Sequence, residues 1–194
     1  MAAVLGLVIL LTASQPLDST NASTFSWRTG DTGCSTANSA DSASHGFYYD
    51  PGLTGNMAAA TNWARSNVID PTDINTFDVG TVAFDTDVVV YDQDYTTYCG
   101  YSWHSPGGSG VVGLNKCVLL ATNPANACEK NEIRYDESFT NSTTSDNRNG
   151  LACHENGHAL GLAHVSSGSC MVTFYPKPLG YSAHEVFDHI NAMY

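Results

Sequence analysis

The segment from Cys153 to His164 constrains the fold more than any other part of the chain. His154 and His158 are four residues apart, so on an α-helix their imidazoles lie one turn apart on a single face. If the helix continued without a break, His164 would lie about 15 Å along its axis from His154. All three side chains can meet only if the helix ends before His164 and the chain turns back.

Gly161 is where we expect that helix to end, since a residue without a Cβ readily adopts the left-handed conformation. Three neutral imidazoles, from His154, His158 and His164, would leave one position of a tetrahedral zinc ion open, as in catalytic sites. Glu155 follows the first ligand and is placed to act as a general base on a metal-bound water. A helix with ordinary surface histidines is the alternative, and it explains neither the glycine nor the third histidine.

The pattern His-Glu-x-x-His-x-x-Gly-x-x-His resembles the signature of the metzincin clan of zinc endopeptidases, and the chain is most similar to matrixin-like secreted proteases. The resemblance is specific over residues 147–194 and looser over residues 46–140. It implies an α+β fold, in which a twisted mixed sheet and a backing helix accompany the zinc-binding active-site helix, a methionine turn and a C-terminal helix.

The resemblance also assigns roles to residues after the third histidine. Met171 is implied to form an apolar floor beneath the ligands, although a single methionine is otherwise more often core packing. The segment 172–181 is implied to line the pocket for the side chain just after the cleaved bond. Thr173 stands where astacin-like members have a tyrosine ligand, so no tyrosine ligand is expected.

The activity implied by this resemblance is that of a secreted zinc-dependent endopeptidase. His154, His158 and His164 would hold one Zn²⁺, and Glu155 would transfer protons while a metal-activated water attacks a peptide bond. A protein or peptide substrate would pair with an edge strand within residues 110–121. The first alternative is a secreted zinc-binding protein of the same fold that recognises a partner without proteolysis, and the second is a zinc hydrolase acting on another bond.

Six cysteines form an even set without a Cys-x-x-Cys pair, which is typical of disulfides in an oxidising compartment. The resemblance implies a bond between Cys153 and Cys170 that fastens the zinc helix to the methionine turn. The other four cysteines are then expected to form the pairs Cys99–Cys117 and Cys34–Cys128.

The length of 194 residues and the hydrophobic content of 42% suit one buried core, which we assign to a catalytic domain over residues 46–194. Residues 1–14 are interpreted as a secretory signal that lacks its usual positive charges, so that the start is truncated or the first methionine wrongly chosen. A buried strand or helix is the alternative. Residues 15–45 are rich in small polar residues and predict a flexible tail.

Hydrophobic periodicity predicts the remaining elements. Strands are expected at residues 45–49, 79–91, 110–121 and 133–135. Helices are expected at residues 56–68, from a cap at Asp146 or Asn147 to Leu160, and at residues 183–193 behind a capping box of Ser182 and Glu185.

The charge balance of seven Lys and Arg against 19 Asp and Glu argues against nucleic acid or an anionic membrane as partner. The apolar run at residues 1–13 is too short to span a bilayer. We therefore expect an extracellular protein, without a membrane span, that acts as a monomer.

Two further groups of residues bear on metal binding. His184 and His189 are five apart on the last helix, which predicts different faces and no second metal site. Four carboxylates offer oxygens to Ca²⁺, which matrixins bind, but alternating acids along a strand more often form a solvated face. These are Asp85, Asp87, Asp92 and Asp94.

Overall fold

The computed structural model describes residue 34, residues 39–103 and residues 110–194. The strands in these ranges are β1 (Ser44–Tyr49), β2 (Asn75–Asp78), β3 (Val88–Gln93), β4 (Thr97–Tyr98), β5 (Tyr101–Ser102), β6 (Gly113–Leu120) and β7 (Cys128–Asp136). Five of them form a sheet in the order β2-β1-β3-β7-β6, and β4 pairs with β5 separately. The first four strands of the sheet are parallel, whereas β6 runs antiparallel to β7. The expected α+β class and mixed sheet are present.

The helices are α1 (Gly55–Ala64), α2 (Glu137–Thr140), α3 (Ser145–Ala159) and α4 (Asn191–Met193). A π-helical turn, Arg65–Ile69, extends α1, and a second one, Glu185–Ile190, leads into α4. Among the described residues, we find no helix with the length and apolar character needed to cross a membrane.

One face of the sheet packs against α1 and α3. The β-branched run of β3 suits a buried strand, and the buried residues of α1 are three or four positions apart, so one face of that helix packs on the core. The cluster they form excludes water from the back of α3 and fixes that helix against the sheet. Its members include Phe47, Met57, Ala60, Ala64, Val88, Val90, Ile133, Tyr135, Leu151 and Ala152.

The strand predicted over residues 79–91 was wrong in its first nine positions, because β3 begins only at Val88. The residues before it form a loop whose side chains bind backbone groups. The backbone N–H of Ala83 donates to Oγ1 of Thr86 at 2.8 Å, and that of Gly46 donates to Asp87 at 2.6 Å. Side-chain acceptors of this kind compete with strand pairing.

The predicted cap of the metal-site helix was also wrong. Thr144 caps α3 by accepting from the backbone N–H of Asn147 at 3.3 Å, whereas Asp146 lies in the first turn. The predicted capping box is confirmed, since the backbone N–H of Ser182 donates to Glu185 at 2.6 Å and the reciprocal bond measures 3.3 Å.

Two of the expected disulfides were wrong. The structure pairs Cys34 with Cys99 and Cys117 with Cys128, in place of Cys99–Cys117 and Cys34–Cys128. β6 and β7 are antiparallel neighbours whose register shifts between Cys117 and Leu120, and the Cα atoms of Cys117 and Cys128 lie 5.7 Å apart. The third disulfide, Cys153–Cys170, is the one that the family resemblance implied.

The described residues include some that the tail prediction covered. Ser39 and Ala40 are buried, and the backbone N–H of Ala40 donates to the hydroxyl of Tyr194 at 2.8 Å. The signal assigned to residues 1–14 and most of the tail assigned to residues 15–45 lie outside the described residues.

Candidate metal centre

Helix α3 carries two of the three histidines, and backbone carbonyls orient both rings. Nδ1 of His154 lies 2.8 Å from the carbonyl oxygen of Cys170, and Nδ1 of His158 lies 2.7 Å from that of Leu162. A carbonyl only accepts hydrogen bonds, so each Nδ1 carries the proton and each Nε2 carries the lone pair. This is the tautomer that binds a metal through Nε2.

The helix ends as the sequence predicted. Gly161 has φ of 98°, and its N–H donates to the carbonyl of His158 at 3.0 Å. The N–H of Leu162 donates to the carbonyl of Gly157 at 2.8 Å, which completes a Schellman motif. The chain therefore reverses after α3, and this reversal returns His164 to the face that holds the other two histidines.

The three Nε2 atoms form a nearly equilateral triangle. His158 lies 3.1 Å from both His154 and His164, and these two are 3.2 Å apart. At least two of the three atoms are lone-pair acceptors, which repel one another at this distance unless a cation lies between them. Tetrahedral zinc with nitrogens at about 2.0–2.1 Å requires ligand separations of about 3.3 Å, so the donor set fits such an ion.

Burial keeps these imidazoles neutral. It lowers the pKa of His158 to about 3 and that of His154 well below its ordinary value, and neighbouring cationic groups add to both effects. The pKa of His164, which is more exposed, is also lowered by burial and by the nearby ammonium of Lys177. Neutral imidazole is the form that coordinates metal.

Met171 and the Cys153–Cys170 disulfide support the centre from below. Met171 is completely buried, and its Sδ would lie only 2.3 Å from a Cβ placed on Gly157, the residue before His158. The disulfide joins the residue before His154 to the residue before Met171. Met171 therefore packs against the helix that carries His154 and His158.

Glu155 borders a cavity of about 500 Å³ beside the triad. The residue is 3% exposed, and Oε2 of its carboxyl group has no hydrogen-bond partner among the described residues. Burial raises the pKa of Glu155 to about 8, while the Lys177 ammonium and a hydrogen bond from the backbone of Asn115 lower it. A buried carboxylate oxygen without a partner is costly for the fold and is a feature of sites that transfer protons.

Strand β6 defines the other side of this cavity. A Cβ on Gly113 would lie 2.6 Å from Oε1 of Glu155, so the backbone of β6 and the carboxylate are in direct contact. β6 also forms one edge of the five-stranded sheet. The cavity thus lies between an edge strand, the α3 helix and the segment that follows Met171.

Lys177 belongs to the same cavity and was not singled out from the sequence. Its side chain is buried, with Nζ 3.1 Å from Nδ1 of His154 and donating to the carbonyl of Val172. Burial lowers the pKa of Lys177 to about 8, and the negative charge of Glu155 opposes this shift. The sequence feature that could have indicated Lys177 is its place between Pro176 and Pro178, within the segment 172–181.

The other candidate ligands do not converge. Within the described ranges, the three histidines are the one group of His, Cys, Asp or Glu with three or more donor atoms close enough to share an ion. Among the aspartates weighed for Ca²⁺, Asp87 accepts from the backbone of Gly46, and Asp92 accepts from the backbone and hydroxyl of Thr54.

The prediction that His184 and His189 point to different faces was wrong. Their ring centroids lie 4.7 Å apart, because the helix is π-helical there and residues five apart become neighbours. Nδ1 of His184 contacts the carboxylate of Asp188 at 2.6 Å.

Comparison with the models of known protein families and with curated proteins found no match to this chain.

Proposed function

We propose that this protein is a zinc-dependent endopeptidase of the metzincin type that acts outside the cell. The observation that carries the proposal is the convergence of three imidazole nitrogens within 3.2 Å beside the buried carboxylate of Glu155, whose Oε2 has no hydrogen-bond partner among the described residues. Zinc bound there supplies Lewis acidity, which lowers the pKa of water and polarises a carbonyl. The three disulfides suit an oxidising, extracellular compartment.

The residues around the triad have separate roles in this proposal. His154, His158 and His164 hold the ion through Nε2, and the carbonyls of Cys170 and Leu162 keep two of these rings in position. Glu155 accepts a proton from the attacking water and returns it to the departing amine. An extended peptide pairs with the free edge of β6, which brings its carbonyl beside the triad.

The decisive experiment compares the wild type with Glu155→Ala on a mixed protein substrate, with bound zinc measured by mass spectrometry. The variant should retain zinc and lose activity by a factor of about 100 to 10,000, because it lacks the proton-transfer group. Asp146→Ala is a matched control, since it removes an exposed carboxylate from the first turn of the same helix. It should leave cleavage unchanged.

The other possible outcomes would favour an alternative function or refute the metal centre. A wild type that binds one zinc and cleaves no protein or peptide would support the protein that recognises a partner without proteolysis. Cleavage of ester or amide substrates other than peptides would support the second alternative. Absence of zinc from the purified protein, even after incubation with zinc, would refute the proposed centre.

A further inference from the structure

Lys177 is a buried cation in the cavity beside the triad. Its side chain is 7% exposed, and Nζ donates to one backbone carbonyl and lies 5.0 Å from the ring centroid of Tyr175. Within the described part of the chain, no carboxylate oxygen lies within 4.0 Å of Nζ. Glu155 lines the same cavity and its charge acts on Lys177, but the two side chains form no direct ion pair.

The position of Lys177 is built into the fold. A Cβ on Gly150 of α3 would lie 2.9 Å from Cβ and 3.3 Å from the carbonyl oxygen of Lys177, so this segment rests directly on the helix. Pro176 and Pro178 restrict the backbone on each side. The side chain accordingly projects from a fixed point and extends toward His154.

The cavity also contains the carboxylate of Glu155, but its apolar wall would strengthen the attraction between the Lys177 ammonium and a second anion. Its lining includes Val112, Phe139 and Leu151, whose apolar side chains limit access of water to the cation. Electrostatic attraction increases where water is excluded, and burial of a charge is unfavourable until an opposite charge accompanies it. A ligand carboxylate would supply that charge through a charge-assisted hydrogen bond.

We propose that Lys177 makes this protein selective for peptides with Asp or Glu beside the cleaved bond, on the side that enters this cavity. The inference rests on the proposed endopeptidase function and specifies its substrate. A carboxylate that enters the cavity pairs with Lys177, whereas Lys or Arg at the same position meets a like charge. This selectivity depends on the local charge of Lys177 and not on the overall charge of the protein, since the chain as a whole carries a formal net charge of −12.

The test uses fluorogenic peptides built around a cleavage site mapped in a protein digest. The peptides differ only at the residue just after the cleaved bond, which is Asp, Asn, Leu or Lys. The wild type should cleave the Asp peptide with kcat/KM at least about tenfold above that for the Asn peptide. Lys177→Met should bring this ratio close to one, while Lys130→Met, which removes a charge outside the cavity, should preserve it.

A readout independent of catalysis accompanies the kinetics. Calorimetry measures binding of the C-terminal product peptides that begin with Asp or Asn to the wild type and to Lys177→Met. The wild type should bind the Asp peptide at least about tenfold more tightly than the Asn peptide, and the variant should not distinguish them. Circular dichroism and zinc content establish that the variant is folded and loaded with metal.

Three results would overturn the inference. In the first, the wild type cleaves peptides without preferring Asp over Asn, which leaves the endopeptidase function intact and needs no variant. In the second, Lys177→Met slows every peptide equally, which assigns Lys177 a general effect on Glu155. In the third, no peptide is cleaved by the zinc-loaded wild type, which refutes the proposed function together with this inference.

Discussion

Two glycines determine how closely other groups approach the metal centre. Gly157 leaves space for the thioether of Met171, and Gly113 leaves space for the carboxylate of Glu155. In both cases a Cβ would lie within 2.6 Å of a heavy atom, a distance at which something must move. The site therefore depends on the absence of two methyl groups as well as on its ligands.

Gly113→Ala should impair catalysis without removing zinc. The added Cβ would lie 2.6 Å from Oε1 of Glu155 and 2.8 Å from Cδ1 of Leu151, so the carboxylate must shift. We expect kcat/KM to fall by about 100-fold, since a misplacement of about 1 Å costs that much. Gly55→Ala is the matched control, because no atom lies within 4 Å of its Cβ. Equal loss in both variants would contradict the prediction.

His45 makes stability depend on pH. Burial lowers its pKa to about 4, and this outweighs the hydrogen bond to the carbonyl of Ser42, which raises it. Between pH 6.5 and 4 the unfolded chain binds a proton at this residue that the folded chain does not, so stability decreases as the pH falls.

The measurement is the free energy of unfolding in urea at pH 7 and pH 5, for the wild type and His45→Gln. The wild type should lose about 2 kcal/mol more than the variant between these values. The metal-site histidines are present in both proteins, so the difference isolates His45. An identical loss in both proteins would show that His45 does not carry the effect.

At the residue scale, sequence analysis identified the groups that converge but missed Lys177. The spacing of His154, His158 and Gly161 has one simple structural solution, and the structure adopts it. The burial of Lys177 depends on Gly150, 27 positions earlier, which lets the two segments touch. No local pattern reveals such a contact between distant residues.

Among the elements, the C-terminal end of α3 determines where the third imidazole lies. Its Schellman motif requires Gly161 at φ of 98°, a conformation that other residues rarely adopt. The motif also leaves the carbonyl of Leu162 in contact with His158. This turn thus positions His164 and orients the ring of His158.

Gly161→Ala should weaken zinc binding. Strain at this turn is expected to cost about 1–2 kcal/mol, and relief of the strain moves His164 away from the other ligands. Gly100→Ala is a matched control, since Gly100 has φ of 75° in the hairpin between β4 and β5. Both variants should lose thermal stability, but only Gly161→Ala should show a higher Kd in competition with a zinc-binding dye.

The elements predicted well from the sequence are those with a strong hydrophobic periodicity. β1, β6 and α3 lie close to their expected limits, as does the helix that begins with α1. The wrong predictions fall where side chains hydrogen-bond to the backbone, as at Asp87 before β3. They also fall where a helix becomes π-helical, as at His184 and His189. Neither effect alters the hydrophobic pattern, so periodicity could not indicate it.

For the molecule as a whole, the metal site links segments that are otherwise held by the disulfide and the core. Zinc that binds only the folded chain stabilises it by mass action, by about 4 kcal/mol when free zinc exceeds its Kd about 1,000-fold. For a chain of this size that corresponds to a change in Tm of about 10 °C.

Removal of zinc by a chelator should therefore lower the Tm of the wild type by about 10 °C, as measured by calorimetry. His158→Ala should melt at the same temperature with and without the chelator, because it lacks a ligand. A wild type whose Tm does not change, although zinc is removed, would contradict the link between metal binding and folding.

All strands of the five-stranded sheet precede His154 in the chain. The last of them, β7, ends at Asp136, and α3 begins at Ser145. Ribosomes make the N-terminal part first, so the whole sheet has been translated before His154 is added. The strands that α3 packs against are therefore fully translated before the three imidazoles are added, and an ion arriving early in synthesis meets none of these histidines.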